Sequence, residues 1–304
     1  MFSIQHLVLL LTFYGMIESK LFRSDYRYHR EVDGWLKLHD VPGTWHDARQ
    51  RCYMEGAALA SPVDADMQYA LRSEMNKSLT ECAGIYVGVH SLYSKGYFYS
   101  LEGVPLSQMR VQWMPGEPDN ADSNEDCVAY VDGKVADVNC SELLPFVCYK
   151  KKTENMSVMP CGTIDRGYEF SARTGSCYKL HKTPQAWAQA FKVCSAEGGY
   201  LAIINSSDEA SALKNIYSRR YPNASRSDVT YIGLISWSKD LVWRTVHGQV
   251  LEEVGYADWE KGQPDTADPG EHCGAMSPNA KLADLWCGRF AKFLCEKDPD
   301  SLQD

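Results

Sequence analysis

The feature that most constrains this 304-residue chain is an internal repeat. The segment WLKLHDVPGTWHDARQRC (35–52) aligns without gaps on CYKLHKTPQAWAQAFKVC (177–194), and YVGV (86–89) aligns on YIGL (231–234). A duplication over this length specifies two domains of one fold. Three later cysteines continue the repeat in the same order, Cys127, Cys140 and Cys148 against Cys273, Cys287 and Cys295.

Both copies carry an apolar pattern with the period of an α-helix. Large or small apolar side chains recur at positions i, i+3 and i+7, so each set forms one stripe along a helix, and we expect that stripe to be buried. The two sets are Trp45, Ala48 and Cys52 in the first copy, and Trp187, Ala190 and Cys194 in the second.

Other local signals complete the fold class. Thr44 and Thr183 are placed as N-caps of the two helices. Second helices are predicted over Asp64–Met75 and Ser207–Tyr217. Short aromatic and β-branched runs follow and indicate strands, whose large aromatic side chains we expect in the core. Helices that come first and strands that come afterwards predict an α+β class with two helices and antiparallel sheets in each domain.

The N-terminus predicts secretion. LVLLLTFYGMI (7–17) is an apolar run too short to span a bilayer, and the small residue Ser19 follows it, as expected of a signal peptide. Five glycosylation sequons, at Asn76, Asn139, Asn155, Asn205 and Asn223, fit an extracellular protein. The predicted organisation is a signal peptide (1–19), a first domain (20–150), a linker (151–160), a second domain (161–298) and a polar tail (299–304).

Eleven cysteines in a secreted chain predict a disulfide framework with at least one thiol left over. Matching positions favour pairs within each copy, although spacing alone leaves three connectivities open for four cysteines. Cys82 has no counterpart in the second copy, and we expect an intermolecular disulfide there that gives a covalent homodimer. The expected pairs are Cys52–Cys148, Cys127–Cys140, Cys194–Cys295 and Cys273–Cys287, with Cys161–Cys177 only in the second copy.

Charge and motifs exclude several function classes. The 31 basic residues against 40 acidic ones argue against nucleic acid or anionic membranes as partners, and no second apolar run of membrane length occurs. No His-Glu-x-x-His, Gly-x-Ser-x-Gly or phosphate-binding glycine motif is present. We therefore expect a binding protein and no enzyme.

One stretch carries a candidate site. GEPDNADSNEDC (116–127) places five carboxylates in twelve residues with no Lys or Arg among them. A stretch of this composition on its own is typical of a solvated turn. The second copy carries QPDTADPGEHC (263–273) at the same offset from Trp259 and Cys273 as the first loop has from Trp113 and Cys127. Because the acidic loop recurs at the same position of both copies, it indicates a binding site rather than a solvated turn.

These residues resemble C-type lectin domains: the helix that ends in Cys, the strands at 86 and 231, and Glu-Pro-Asp or Gln-Pro-Asp before a Glu that precedes a Cys. Two such domains behind a signal peptide resemble the immulectins of moth and butterfly haemolymph. In that family the acidic loop is a calcium site, the calcium binds sugar hydroxyls, and Pro118 and Pro264 match a cis proline. The resemblance implies Ca²⁺ and sugar ligands at Glu117, Asp119, Glu125 and Asp137, and at Gln263, Asp265, Glu271 and Asp284.

The chain also departs from the family pattern. Ala136 and Ala283 stand where the family has an asparagine ligand, so each site lacks one amide oxygen and one amide donor. Asp126 matches the family's auxiliary calcium site, whereas His272 replaces it in the second copy and is expected to be a plain surface residue. The donor–acceptor pair Gln263 and Asp265 favours the second domain as the better hexose binder.

The resemblance implies a secreted, calcium-dependent receptor for microbial surface glycans such as lipopolysaccharide. It further implies an immune role in haemolymph through agglutination, haemocyte surfaces or priming of the prophenoloxidase cascade. The alternative is a lectin-like scaffold that has lost sugar binding and binds protein without calcium, and the missing asparagines keep that alternative open. Calcium chelation distinguishes the two.

Overall fold

The computed structural model describes residues 22–77, 84–153, 156, 158–236, 242–266 and 270–301. The signal peptide predicted over 1–19 and the thiol of Cys82 lie outside the described residues. The chain divides into two units, Met1–Ser157 and Val158–Asp304, each with its own core.

The two units repeat one order of elements. In the first unit the helices are α1 Trp45–Met54 and α2 Ala65–Met75, and the strands are β1 Arg27–His29, β2 Gly34–Gly43, β3 Ala58–Leu59, β4 Ile85–His90, β5 Tyr99–Ser100, β6 Gln112–Trp113, β7 Cys127–Val131, β8 Lys134–Val138 and β9 Leu144–Lys151. In the second they are α3 Trp187–Ala196, α4 Ser207–Arg220 and α5 Leu251–Val254, with β10 Glu169–Phe170, β11 Cys177–Gln185, β12 Tyr200–Leu201, β13 Thr230–Ser236, β14 Trp243–Thr245, β15 Cys273–Met276, β16 Leu282–Leu285 and β17 Ala291–Lys297.

The α+β class is confirmed, with two differences in detail. Long strands, β2 and β11, precede the first helix of each unit instead of following the helices. The sheets are mixed: most neighbouring strands are antiparallel, but β4 and β9, β6 and β8, and β13 and β17 pair in parallel. Periodicity reports which residues face the core but not the direction of the neighbouring strand, so the sequence pattern did not distinguish these pairs.

The first helix of each unit buries the predicted stripe. Trp45 is fully buried and donates its indole N–H to the carbonyl of Val87 at 2.9 Å. Trp187 does the same with the carbonyl of Ile232 at 3.0 Å. Each bond joins the helix to the central strand of its sheet, β4 or β13, because a buried indole N–H needs an acceptor.

The helix caps differ between the units. Thr44 caps α1, since its hydroxyl accepts the N–H of Asp47 at 3.2 Å. The predicted cap at Thr183 is wrong: α3 begins after Ala186, which has no side-chain oxygen to offer. Thr183 lies in β11, which stays extended to Gln185 because Gln185 pairs with Ala291 of β17. Sheet pairing here outweighs the local capping preference.

Among the described residues, five disulfides form, each within one unit. In each unit one bond joins the first helix to the last strand, and a second closes the hairpin that follows the acidic loop. The fifth ties the start of the second unit to β11. The pairs are Cys52–Cys148, Cys127–Cys140, Cys161–Cys177, Cys194–Cys295 and Cys273–Cys287.

Candidate calcium sites

The acidic loop of the first unit lies between β6 and β7 and folds back over β8. Asn120, Asp122 and Ser123 all adopt left-handed backbone angles, with φ of 48°, 52° and 58°. Asn and Asp tolerate this region better than most residues, so the polar composition of the loop suits its tight path. The path brings the loop carboxylates over Asp137, which is buried on β8.

Three carboxylates of the first unit converge. Ligand oxygens of Glu117, Asp119 and Asp137 lie within 4.8 Å of one another. Asp137 holds the loop in place, because it accepts the N–H of Asp119 at 3.3 Å and the N–H of Asn120 at 3.0 Å. These backbone N–H groups therefore offset part of the charge repulsion among the three carboxylates.

The remaining repulsion is visible in the pKa values. A hydrogen bond with Asp137, partial burial and the charges of Asp119 and Asp137 raise the pKa of Glu117 to about 7. Glu125 lies beside Asp119 and accepts the N–H of Ala121 at 2.7 Å, yet burial and contact with Asp119 raise its pKa as well. A divalent cation would stabilise the ionised forms of these four acids, so the donor set fits a hard cation.

The second unit repeats the arrangement. Ligand oxygens of Asp265, Glu271 and Asp284 lie within 4.8 Å of one another, with Asp284 buried on β16. Asp284 accepts the N–H of Asp265 at 3.3 Å and the N–H of Thr266 at 2.8 Å. The N–H of Asp284 donates to the side-chain oxygen of Gln263 at 2.9 Å, which fixes the orientation of that amide.

The residues of both clusters fit calcium by chemistry. Every side-chain donor is a carboxylate or amide oxygen, which is the ligand type that Ca²⁺ takes, about six to eight at a time. Ala136 and Ala283 contribute no side-chain oxygen, so fewer protein ligands remain than the family pattern provides. The peptide bonds Glu117–Pro118 and Gln263–Pro264 are both cis, as the resemblance implied. When bound, Ca²⁺ would offer its open coordination positions to sugar hydroxyls.

Asp126 has a partner other than a metal. Ser91 donates its hydroxyl to one oxygen of Asp126 at 3.0 Å, and the Lys95 ammonium contacts the other oxygen. An ammonium from the chain itself therefore offsets the charge of Asp126 in this structure. In the second unit, His272 is exposed and its carbonyl accepts the N–H of Ser236 at 2.8 Å. Lys95 was missed from sequence because it lies 31 residues from the acid that it neutralises.

An aromatic side chain lies beside the second cluster. Trp286 is 53% exposed, two residues after Asp284, and its ring packs on the backbone of Gly270. The loop segment 266–270 carries no aromatic residue of its own. Sequence reasoning that searched only the loop missed Trp286, although its closeness to Asp284 in the chain was available as a signal.

The fold and the repeated acidic clusters agree with the family comparison. The model of the Lectin C-type domain matches residues 41–150 and again 183–297, more than half of the chain. The chain belongs to the C-type lectin domain family. Both copies of the acidic cluster lie inside the matched segments.

Relatives of known name support the same family. The hemolymph lipopolysaccharide-binding protein of Periplaneta americana is 39% identical over 137 residues, which are 44% of this chain and 53% of that protein. C-type lectin domain family 10 member A of Mus musculus is 31% identical over 132 residues, 42% of this chain and 40% of that protein. The matches thus span about half or less of these relatives.

A solved structure was matched as well. The carbohydrate-recognition domain of the mouse scavenger receptor C-type lectin aligns with 24% identity and a TM-score of 0.37, over 44% of this chain and 97% of that one. Among the described residues, no helix has the length and apolar character needed to cross a bilayer.

Proposed function

We propose that the protein is a secreted, calcium-dependent receptor for microbial surface glycans, acting in innate immunity through both domains. The observation that carries the proposal is a cluster of three acidic side chains at the same point of both lectin domains, in which Asp119 and Asp137 are equivalent to Asp265 and Asp284. A relative whose name states lipopolysaccharide binding in hemolymph supports lipopolysaccharide or another polysaccharide as the ligand class. Two sites on one chain would add avidity on a repetitive surface.

The side chains supply complementary hydrogen bonds to a sugar hydroxyl. Ionised carboxylates such as Glu117 and Asp119 only accept, whereas the amide of Gln263 also donates. The oxygen of Gln263 accepts the N–H of Asp284 and keeps a second lone pair for a cation, while its NH₂ group can donate to a sugar oxygen. A hydroxyl that both donates and accepts is therefore better served by the second domain.

The downstream role is proposed from the family alone. Agglutination, contact with haemocyte surfaces and priming of the prophenoloxidase cascade are the candidates, with haemolymph as the location. We also propose that Cys82 forms an intermolecular disulfide, since an odd cysteine in a secreted chain tends to pair. A monomer band on non-reducing gels that is unchanged in Cys82→Ser would contradict the dimer.

Retention of the full chain on immobilised lipopolysaccharide and hexoses tests the main proposal. We expect retention with calcium, elution by chelator, and loss of retention in the double variant Asp119→Asn/Asp265→Asn. The matched control is Asp122→Asn/Asp258→Asn. Among the described residues, Asp122 stands in the same loop but outside the close acidic clusters, and Asp258 pairs with Lys281 at 3.0 Å. Absence of retention on every immobilised glycan, with calcium present, would instead support the scaffold that has lost sugar binding. Retention that survives chelator and both double variants would contradict calcium dependence.

A further inference from the structure

Two neighbouring cavities open on the surface of the first domain. Their volumes are about 320 Å³ and about 370 Å³, and Tyr97 and Tyr99 line both of them. Tyr97 is 69% exposed and Tyr99 is 39% exposed, so neither ring is buried in the core. Exposed aromatic side chains that line contiguous cavities mark a binding surface more often than a packing requirement.

The larger cavity leads to the candidate calcium site. Trp113 and Phe98 form part of its wall, in edge-to-face contact with centroids 5.2 Å apart. Pro118 lines the same cavity and stands between the cluster residues Glu117 and Asp119. No charged residue lines this cavity in the described part of the chain, and its aromatic and apolar wall suits the apolar face of a sugar ring.

The smaller cavity is basic. Arg49 and His90 line it together with Tyr93, and none of its lining residues in the described ranges is acidic. Burial, followed by the positive charge of Arg49 and of His46, lowers the pKa of His90, so its imidazole is mainly neutral at pH 7 and Arg49 supplies the positive charge. The whole chain has a net charge of −9, whereas the lining of this cavity carries a positive charge and therefore favours an anion.

The second domain shows that the fold does not require these residues. Strand register makes Ser100 equivalent to Thr245, because each pairs with the matching residue of β4 or β13. Tyr97 and Tyr99 therefore correspond to Val242 and Arg244. In the same alignment of the repeats, Arg49 corresponds to Phe191 and His90 to Ile235. The same architecture forms without either tyrosine, and with apolar side chains at the positions of Arg49 and His90.

We propose that the first domain carries an extended subsite for an acidic oligosaccharide. This proposal rests on the glycan binding proposed above. One sugar ring lies against Tyr97, Tyr99 and Trp113, next to the sugar residue that is held at the acidic cluster. A neighbouring sugar that bears a carboxylate or phosphate places its oxyanion at Arg49, whose planar guanidinium binds such groups bidentately. The first domain thereby selects by length and charge of the glycan, and not only by the terminal hexose.

The test measures equilibrium binding of the full chain to a monosaccharide and to trisaccharides of equal length that are neutral, uronate-bearing or phosphate-bearing. The two acidic ligands separate a carboxylate from a phosphate as the preferred oxyanion. Two variants probe the subsite, Arg49→Gln for the anion and Tyr97→Val for the ring. Two controls match them chemically: Arg226→Gln, in the second domain, and Tyr53→Val, an exposed tyrosine that lines neither cavity.

We expect wild-type protein to prefer an acidic trisaccharide, and Arg49→Gln to lose roughly tenfold in affinity for it while the neutral ligand is unaffected. Tyr97→Val should weaken all trisaccharides by roughly fivefold and leave the monosaccharide unchanged. Equal binding of acidic and neutral ligands, or equal losses in the controls, overturns the subsite. If the anion preference and its loss in Arg49→Gln persist in chelator, the calcium proposal fails and the subsite stands. Absence of any glycan binding overturns both.

Discussion

At the scale of single residues, buried acids decide how each domain responds to pH. Glu55, at the end of α1, is buried and takes hydrogen bonds from Tyr26 at 2.6 Å and from Arg51 at 2.7 Å. Burial opposes its ionisation, but His39, Arg23 and Lys37 outweigh burial and hold the pKa of Glu55 well below its ordinary value of 4.5. Glu197 holds the equivalent place in the second domain, and Lys179 and His181 lower its pKa likewise.

We therefore expect acid to weaken the first domain through Glu55. Since its folded pKa lies below its unfolded pKa, the stabilising contribution is present above about pH 4.5 and is lost as pH falls further. Glu55→Gln should lower the free energy of unfolding at pH 7 by roughly 3 kcal/mol, because it removes the buried carboxylate that Arg51 contacts at 2.7 Å and Lys37 at 3.6 Å. The variant should also flatten the loss of stability in acid. Chemical denaturation from pH 7 to pH 3 measures both, with the exposed Glu102→Gln as the control.

Glu296, in the second domain, should make stability fall as pH rises, which is the opposite of the trend expected from Glu55. Burial and the nearby charge of Glu209 raise the pKa of Glu296 from 4.5 to about 7. Because the folded pKa is the higher one, the stability contribution is full below pH 4.5 and is lost as pH rises through 7. Glu296→Gln should therefore be more stable than wild type at pH 8, by on the order of 3 kcal/mol, and similar to it at pH 4. If the free energy of unfolding depends on pH in the same way for wild type and variant, then ionisation of Glu296 costs the fold no stability.

At the scale of elements, the two copies of the first helix form an internal comparison. α1 follows a threonine cap, whereas α3 follows Ala186, whose side chain makes no cap hydrogen bond. In both cases the helix N-terminus follows a long strand that pairs with the last strand of its domain, β2 with β9 and β11 with β17. Tertiary pairing thus fixes where the helix begins, and the cap adds to its stability.

Reciprocal substitutions test this comparison. Thr44→Ala should destabilise the first domain by roughly 1 kcal/mol, because the N–H of Asp47 loses its acceptor. Ala186→Ser should stabilise the second domain by up to about 1 kcal/mol. Thermal melts of the full chain with calcium measure both changes. No shift for either substitution would mean that solvent satisfies these N–H groups equally well.

At the scale of the whole molecule, one chain carries two unequal copies of a lectin domain. The second has a donor–acceptor pair in Gln263 and Asp265 and an exposed Trp286 beside its cluster. The first has acceptors only, but Tyr97, Tyr99 and Arg49 line its two cavities, and Val242, Arg244 and Phe191 stand at the equivalent positions of the second. Duplication thus preserved the framework and diversified the binding surface.

The inequality predicts which site holds a simple hexose. Gln263→Glu removes the donor and should abolish calcium-dependent retention of the full chain on galactose, while Glu117→Gln should increase retention. Trp286→Ala should weaken binding by roughly fivefold, through loss of ring contact. Retention on immobilised galactose and mannose measures all three variants, with Trp286→Phe to preserve an aromatic ring. Unaltered retention in Gln263→Glu would show that the donor argument is wrong.

Much of the architecture followed from local pattern. The stripes headed by Trp45 and Trp187 predicted buried helices, and the matching cysteines favoured bonds within each copy, because both signals depend on spacing alone. The acidic loops were recognisable since their residues are close in sequence. The parallel strand pairs and the start of α3 after Ala186 could not be recognised from the sequence, because they depend on partners far along the chain.

The sequence by itself therefore determined that this protein has two α+β domains of one fold with an acidic loop in each, since helix period, cysteine spacing and crowded carboxylates are local properties. The lectin family was implied by the resemblance of these motifs to known domains. Only the tertiary structure decided which groups surround those loops. Lys95 reaches Asp126 across 31 residues, and Tyr97 and Pro118 line one cavity from separate segments. A binding surface is built from such long-range contacts, and these depend on how strands pair and loops fold back, which no short window of sequence records.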